Sequence, residues 1–194
     1  MTTEANWWVR HIESVKTSLR VLFGLIWVID GALKFTSGFV DGFPGAVQTA
    51  SGNAPGWLSG WYGFWIPQAN ANPTLIVYTV GVLELVLGLA LIVGFMRKVA
   101  YFGGVVLSLL IWAVPEGFGG PYATGGGGTD VGTGVIYALV FVGLIVINSA
   151  FGPSRWSLDA LVERRWISWE RIAEFRSSPR HGSSATSPTG VGVE

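Results

Sequence analysis

Beyond Arg20 at the start of the first, three ionisable side chains stand in segments otherwise apolar enough for a lipid bilayer. Asp30 and Lys34 belong to RVLFGLIWVIDGALKF (20–35), and Glu84 belongs to TLIVYTVGVLELVLGLALIVGF (74–95). An ionisable group at membrane depth costs about 2.5–3.5 kcal/mol on insertion scales, so such groups face a bundle interior and mark function. The chemistry they offer is proton uptake and release by a carboxyl in dry surroundings. On a helical wheel Arg20, Gly24, Trp27, Gly31 and Lys34 form one stripe roughly 80° wide, with Asp30 at its edge. Two further carboxylates, Glu116 and Asp130, bracket a Gly-rich stretch, PEGFGGPYATGGGGTD (115–130).

Depth follows from a rise of about 1.5 Å per residue. Glu84 comes eleven residues after Pro73, roughly 16 Å in and near the middle of a core about 30 Å thick. Asp30 lies outward of centre, and Lys34 falls near the outer boundary. Glu84 then has no Lys or Arg at its own depth, and is expected to be protonated at rest or bonded to Tyr, Trp or Ser. The polar groups step outward from Glu84 through Asp30 to Lys34, Glu116 and Asp130. They outline a site that opens to the outer side between the first and second membrane helices. Simpler readings stand beside this one. Lys34 also fits a side chain that snorkels outward with Asp30 as its i+4 partner. Arg20 fits an inner-end anchor, Asp130 a helix cap, and Glu116 a solvated loop residue.

Four apolar segments position these groups, at about 17–36, 74–95, 99–114 and 131–149. Residues 1–16 read as a polar arm with Trp7 and Trp8 as interfacial anchors. The connection 37–73 carries two proline-led stretches, Phe43–Ala50 and the turn after Pro55 with Trp57, Trp61 and Phe64/Trp65. Both are expected to be short amphipathic helices on the outer face. Arg155–Arg176 alternates Arg with Leu158, Leu161/Val162, Trp166, Trp169 and Ile172/Ala173, as an interfacial helix does. Residues 177–194 are expected to be disordered. Gly81, Glu84 and Gly88 share a helical face, as do Gly134 and Ala138 beside Tyr137, and Gly104 with Ser108; small residues there admit close helix contact.

Composition agrees. Charged residues make up 12% of the chain and hydrophobic ones 50%, against about 25% charged in soluble domains. The Lys and Arg residues fall before the first segment or at its inner end (Arg20), in Arg97–Lys98, or after the fourth, except Lys34 at the outer end of the first. The positive-inside rule then places both termini in the cytoplasm. The expected fold is all-α: a four-helix transmembrane bundle (17–150), N-in and C-in, in a bacterial-type plasma membrane, with a cytoplasmic C-terminal interfacial helix (155–176). The absence of Cys excludes a disulfide, a thiol centre or an iron–sulfur cluster in this chain. His11 and His181 both fall outside the apolar segments, which excludes a buried bis-His haem. A net charge of zero gives no sign of a nucleic-acid partner.

Four elements together carry a family resemblance: R-x3-G-x6-G-x2-K from Arg20 to Lys34, a second helix with central Glu84, PEGFGGP at 115–121, and TDxGTGxxYALVF at 129–141. The chain resembles the DoxX/DoxD family over about 17–150, and the last two elements lean toward its DoxD side. The resemblance implies a membrane subunit of a sulfur-linked or respiratory redox system that passes electrons to quinone, with thiosulfate joined to tetrathionate outside. It implies roles for Arg20, Gly24, Gly31, Lys34, Glu84, Glu116 and Asp130. The long basic segment after residue 150 stands outside it. For the quinone that the resemblance implies, Trp27, Trp112 and Tyr137 are expected to wall a slot, with Asp30 and Glu84 handling protons. The electrons are expected to arrive from the substrate directly or from a partner subunit. The alternative is a non-catalytic anchor or assembly subunit of a larger complex.

Overall fold

The computed structural model describes residues 3–120, 122, 130–152, 156–163, 165, 166, 169 and 173, with side chains from residue 11 onward. The expected disordered tail at 177–194, the Trp7–Trp8 anchor side chains, and the basic residues Arg155, Arg164 and Arg171 lie outside what is described. Among the described residues the chain is all helical. It runs α1 (Thr3–Leu33), α2 (Ser37–Asn53), a 3-10 turn (Gly56–Leu58), α3 (Ser59–Ala71), α4 (Pro73–Val93), α5 (Arg97–Ala113), α6 (Thr133–Phe151) and α7 (Leu158–Glu163).

Local chemistry sets these limits. α1 is 31 residues long, so the expected arm at 1–16 continues the first helix rather than preceding it; no Pro interrupts it. The Thr36 hydroxyl donates to the last α1 carbonyl, that of Leu33, at 2.7 Å. Pro73 opens α4 at a first-turn position, where its missing N–H costs nothing. Gly94 closes α4 in the left-handed region at φ +69. Phe95 N–H donates to the Ala90 carbonyl and Gly94 N–H to that of Leu91, a Schellman closure that satisfies the last carbonyls.

α1 packs along α4 and α5 along α6. All four share a core of Phe23, Trp27, Leu87, Leu91, Tyr101 and Phe141. Their outward faces are apolar, with Ile29, Val86, Val106 and Leu139 exposed. α4 and α6 are long and apolar enough to cross a membrane. α5 has 17 residues, and the apolar part of α1 holds Arg20 and Asp30. A second core, with Val47, Ala50, Leu58, Tyr62 and Val114, forms where α2 and α3 cap one end of the bundle.

Two expectations are corrected at the ends. α3 and the 3-10 turn before it are not one-sided: Trp61 and Trp65 of α3 pack inward on one another, whereas Phe64 of α3 is 59% and Trp57 of the turn 80% exposed. The expected helix over 155–176 is not continuous, since the described helix ends at Glu163 and is followed by turns. Its polar side faces the protein. Asp159 is fully buried while Leu161 and Trp166 are exposed, because the Asp159 carboxylate seats on the start of α5. There it accepts from Met96 N–H at 2.8 Å and Arg97 N–H at 3.1 Å.

Candidate functional site

The α1–α4 interface decides where the charges meet. Gly24 stands against Gly88 and Gly31 against Gly81. A Cβ on Gly24 would lie 2.8 Å from the Gly88 carbonyl oxygen, and one on Gly31 would lie 2.9 Å from Leu85 N. The two backbones are therefore as close as side-chain-free helices allow. In antiparallel helices the Cα–Cβ bonds lean in opposite directions, each toward its own N-terminus. Lys34, at the end of α1, leans back toward the bundle centre, and Glu84 leans toward the α2–α3 end. Their side chains close the axial gap between them.

The result is an ion pair, with Lys34 Nζ 3.0 Å from Glu84 Oε2 and the two side chains 15% and 2% exposed. This overturns the expectation that Glu84 lacks a cation at its depth, which followed from Cα positions without the reach and lean of the lysine stem. The contact is electrostatic rather than a well-directed hydrogen bond, so Oε2 keeps acceptor capacity. Lys34 Nζ also stands 3.5 Å from the Asp30 backbone carbonyl. It lies over the Phe39 ring of α2, 4.6 Å from the centroid, a cation–π contact. Lys34 is thus drawn into the bundle and does not pair with the Asp30 carboxylate.

Asp30 has a different partner. The Tyr137 hydroxyl of α6 donates to Asp30 Oδ2 at 3.1 Å. Behind it Trp27 is 1% exposed, with its ring 5.5 Å from Tyr137 and 5.7 Å from Phe141. The Trp27 indole N–H is buried with no acceptor, which costs about 1–3 kcal/mol in a dry interior. Ser108 of α5, fully buried, likewise has no partner for its hydroxyl. Asp30, Lys34, Glu84, Tyr137 and Trp27 therefore form one polar layer inside apolar helices.

The remaining expected residues are architectural. Glu116 Oε2 accepts from Gly134 N–H at 2.9 Å. A carboxylate there satisfies an open amide and suits the positive end of the α6 dipole, so Glu116 is a cap rather than a solvated loop residue. Asp130 does not cap α6: its backbone is left-handed at φ +53, its side chain is exposed, and its carbonyl accepts from Gly120 N–H at 2.8 Å. Trp112 stands apart from the Trp27–Tyr137 pair. Its indole donates to the Val131 carbonyl at 2.8 Å, and its ring meets Phe118 edge-on at 5.2 Å. Trp112 thus stands outside the Trp27–Tyr137 ring contact, although the three were expected together. Phe118 also touches Trp61, and the Trp61 indole and Tyr62 hydroxyl both donate to the Ala113 carbonyl, at 3.0 and 3.2 Å. Residues 115–120 therefore join the α2–α3 cap to the α5–α6 hairpin. Burial pushes the Tyr62 hydroxyl above the ordinary phenol range, and Tyr122 adds to the shift.

At the opposite end, Arg20 is 3% exposed and donates to the Trp156 carbonyl at 2.8 Å. It is packed inward over Gly94, where a Cβ would overlap its guanidinium, and does not reach outward as an anchor. Arg97 Nε donates to Asp159 Oδ2 at 3.1 Å, both side chains being buried, and the Trp169 indole donates to Oδ1 at 3.1 Å. Asp159 and Phe39 were not found by sequence reasoning. A lone Asp in an amphipathic stretch and a Phe after a membrane segment carry no spacing signal. A surface groove of about 750 Å³ at the α3–α4 junction, with Leu75, Tyr78 and Val82, lies on the outward face of α4; Glu84 does not line it.

The DoxX family model matches residues 15–116, more than half of the 194-residue chain. The match takes in Arg20, Asp30, Lys34, Glu84 and Glu116, and ends before Asp130 and Tyr137. No curated protein and no solved structure matches the chain. With its apolar outward faces and its two helices of spanning length, the chain belongs to the DoxX family of membrane proteins.

Proposed function

We propose that α1, α4, α5 and α6 all cross the bilayer, with both termini cytoplasmic and the α2–α3 cap outside, and that the chain is the quinone-reactive subunit of a DoxD-like redox system. The observation that carries this reading is the layer at Asp30, Lys34, Glu84, Tyr137 and Trp27. Charged groups inside an apolar bundle persist where they serve function. The buried Trp27 indole N–H, which has no acceptor, fits a quinone carbonyl oxygen, and Tyr137 forms the adjacent ring wall. A quinone supplies two-electron chemistry, taking two electrons and two protons to become a quinol. In the DoxD-like case the electrons come from two thiosulfate ions joined as tetrathionate, through a partner subunit.

The residues of this chain do the protonic work. Trp27 orients the head group, and Asp30 and Glu84 deliver protons. Tyr137 connects Asp30 to the slot, and Lys34 holds Glu84 in place. The test is purification from native membranes with mass spectrometry of the bound lipids and proteins. A near-stoichiometric isoprenoid quinone and a partner subunit are expected. A stable complex that holds no quinone, and whose activity survives loss of Asp30 and Glu84, would instead favour a non-catalytic assembly subunit.

A further inference from the structure

The seams between the helices differ, and the difference bears on how a ligand reaches the layer. The α1–α4 seam is closed by backbone contact at Gly24, Gly31, Gly81 and Gly88, so the opening expected between the first two membrane helices does not exist. The α5–α6 seam is closed in the same way: a Cβ on Gly134 would lie 2.6 Å from the Ser108 carbonyl oxygen, and one on Gly104 would overlap the Phe141 ring. The Arg97–Asp159 pair locks the inner end of α5. The α1–α6 seam is instead crossed by side chains. Phe23 meets Tyr137 at 5.4 Å and Phe141 at 4.9 Å, and the Tyr137–Asp30 hydrogen bond spans it.

Asp30 and Tyr137 are half-buried, unlike Trp27 behind them. The positions beside them on each helix wheel are Ile26 and Leu33 on α1, and Thr133 and Val140 on α6. Ile26, Leu33 and Thr133 are exposed and Val140 half-buried. A mostly apolar rim therefore surrounds one polar bond, and that bond screens a buried donor with no acceptor.

We infer that the α1–α6 seam is a lateral portal, through which a lipid-soluble ligand bearing carbonyl groups enters from the bilayer. The Tyr137–Asp30 bond is its gate. Tyr137 swings from Asp30 as the head group passes, and Trp27 then donates to a ligand carbonyl. The inference rests on the quinone reading and adds to it an entry route and a gate. The redox balance is unchanged: the donor gives two electrons, and two protons passed from water through Asp30 and Glu84 convert two carbonyl oxygens to hydroxyls.

The lack of Cys in the natural sequence permits a direct test in proteoliposomes holding the full chain with its partner subunit. Ile26→Cys and Val140→Cys, introduced together, are bridged with a short bis-maleimide. Each single variant, treated alike, serves as the control. In parallel, a photoreactive azidoquinone with a long isoprenoid tail is cross-linked to the unmodified complex and mapped by mass spectrometry. The portal predicts that bridging abolishes reduction of the long-tailed quinone while the singles retain it, and that label falls on Ile26–Leu33 and Thr133–Val140. Reduction that survives bridging, or label concentrated on Leu75–Val82 of α4, overturns the portal and leaves the quinone reading intact. Absence of both label and reduction in the unmodified complex overturns both.

Discussion

Gly31→Ala and Gly143→Ala are the same substitution in two apolar helices, and they are predicted to act with opposite sign. A Cβ at Gly31 lies 2.9 Å from Leu85 N and 3.0 Å from the Gly81 carbonyl oxygen, both of them backbone atoms that cannot turn aside. Ordinary contact begins near 3.4 Å, so α1 must retreat from α4 by about half an ångström. A gap of that order gives up about a quarter of the dispersion energy of each contact it opens, and forced overpacking costs about 1–3 kcal/mol. Alanine returns about 1 kcal/mol through helix propensity. The net prediction is a loss of up to about 2 kcal/mol for Gly31→Ala. Gly143, inside α6, has nothing within 4 Å of its built Cβ, so only the propensity gain of up to about 1 kcal/mol remains. Reversible unfolding in mixed micelles, followed by tryptophan fluorescence, measures both midpoints. Shifts of the same sign and size would refute the claim that α1 and α4 touch through their glycines.

Other outcomes follow from the same contacts. Glu116→Ala should lower stability by about 0.5–2 kcal/mol, as the loss of a helix cap does, yet spare quinone reduction; lost turnover at unchanged stability would make Glu116 part of the chemistry. Asp159→Ala strips acceptors from Met96, Arg97 and Trp169 and leaves the buried Arg97 to the Glu163 carboxylate at 4.0 Å, a change worth up to about 3–5 kcal/mol. Limited proteolysis should then cut the 156–173 segment faster than in the natural chain. The raised Tyr62 pKa means that the folded state keeps this proton after the unfolded chain has released it near pH 10. Stability of the α2–α3 cap should therefore fall as pH rises above about 10, and Tyr62→Phe should flatten that fall in a hydrogen-exchange measurement.

The parts of the fold set by periodicity were legible in the sequence. Apolar runs located α4, α5 and α6 to within about two residues, the usual blur of helix ends, and Gly24, Gly31, Gly81 and Gly88 announced close approach. Side-chain reach was not legible. Depth counting put Lys34 beyond Glu84, although lean and a four-carbon stem bring their charges to 3.0 Å. Partners distant in sequence were also hidden: Tyr137 for Asp30, Gly134 for Glu116, and Asp159 for Arg97. Each bond depends on which helices are neighbours, and local patterning leaves that open. The motif PEGFGGP drew attention as a possible site, but its residues 115–120 brace the α2–α3 cap and the start of α6.

The central claim is that a buried carboxyl at Glu84 moves protons for quinone reduction. Glu84→Gln tests it at nearly constant side-chain volume, replacing the carboxylate that faces Lys34 at 3.0 Å with a neutral amide that cannot carry the proton. The measurement is the rate of quinone reduction by the reconstituted complex, natural chain against Glu84→Gln, with equal partner binding confirmed in the same preparation. The account predicts that the variant assembles and that its quinone reduction is lost. Turnover at the natural rate would contradict it.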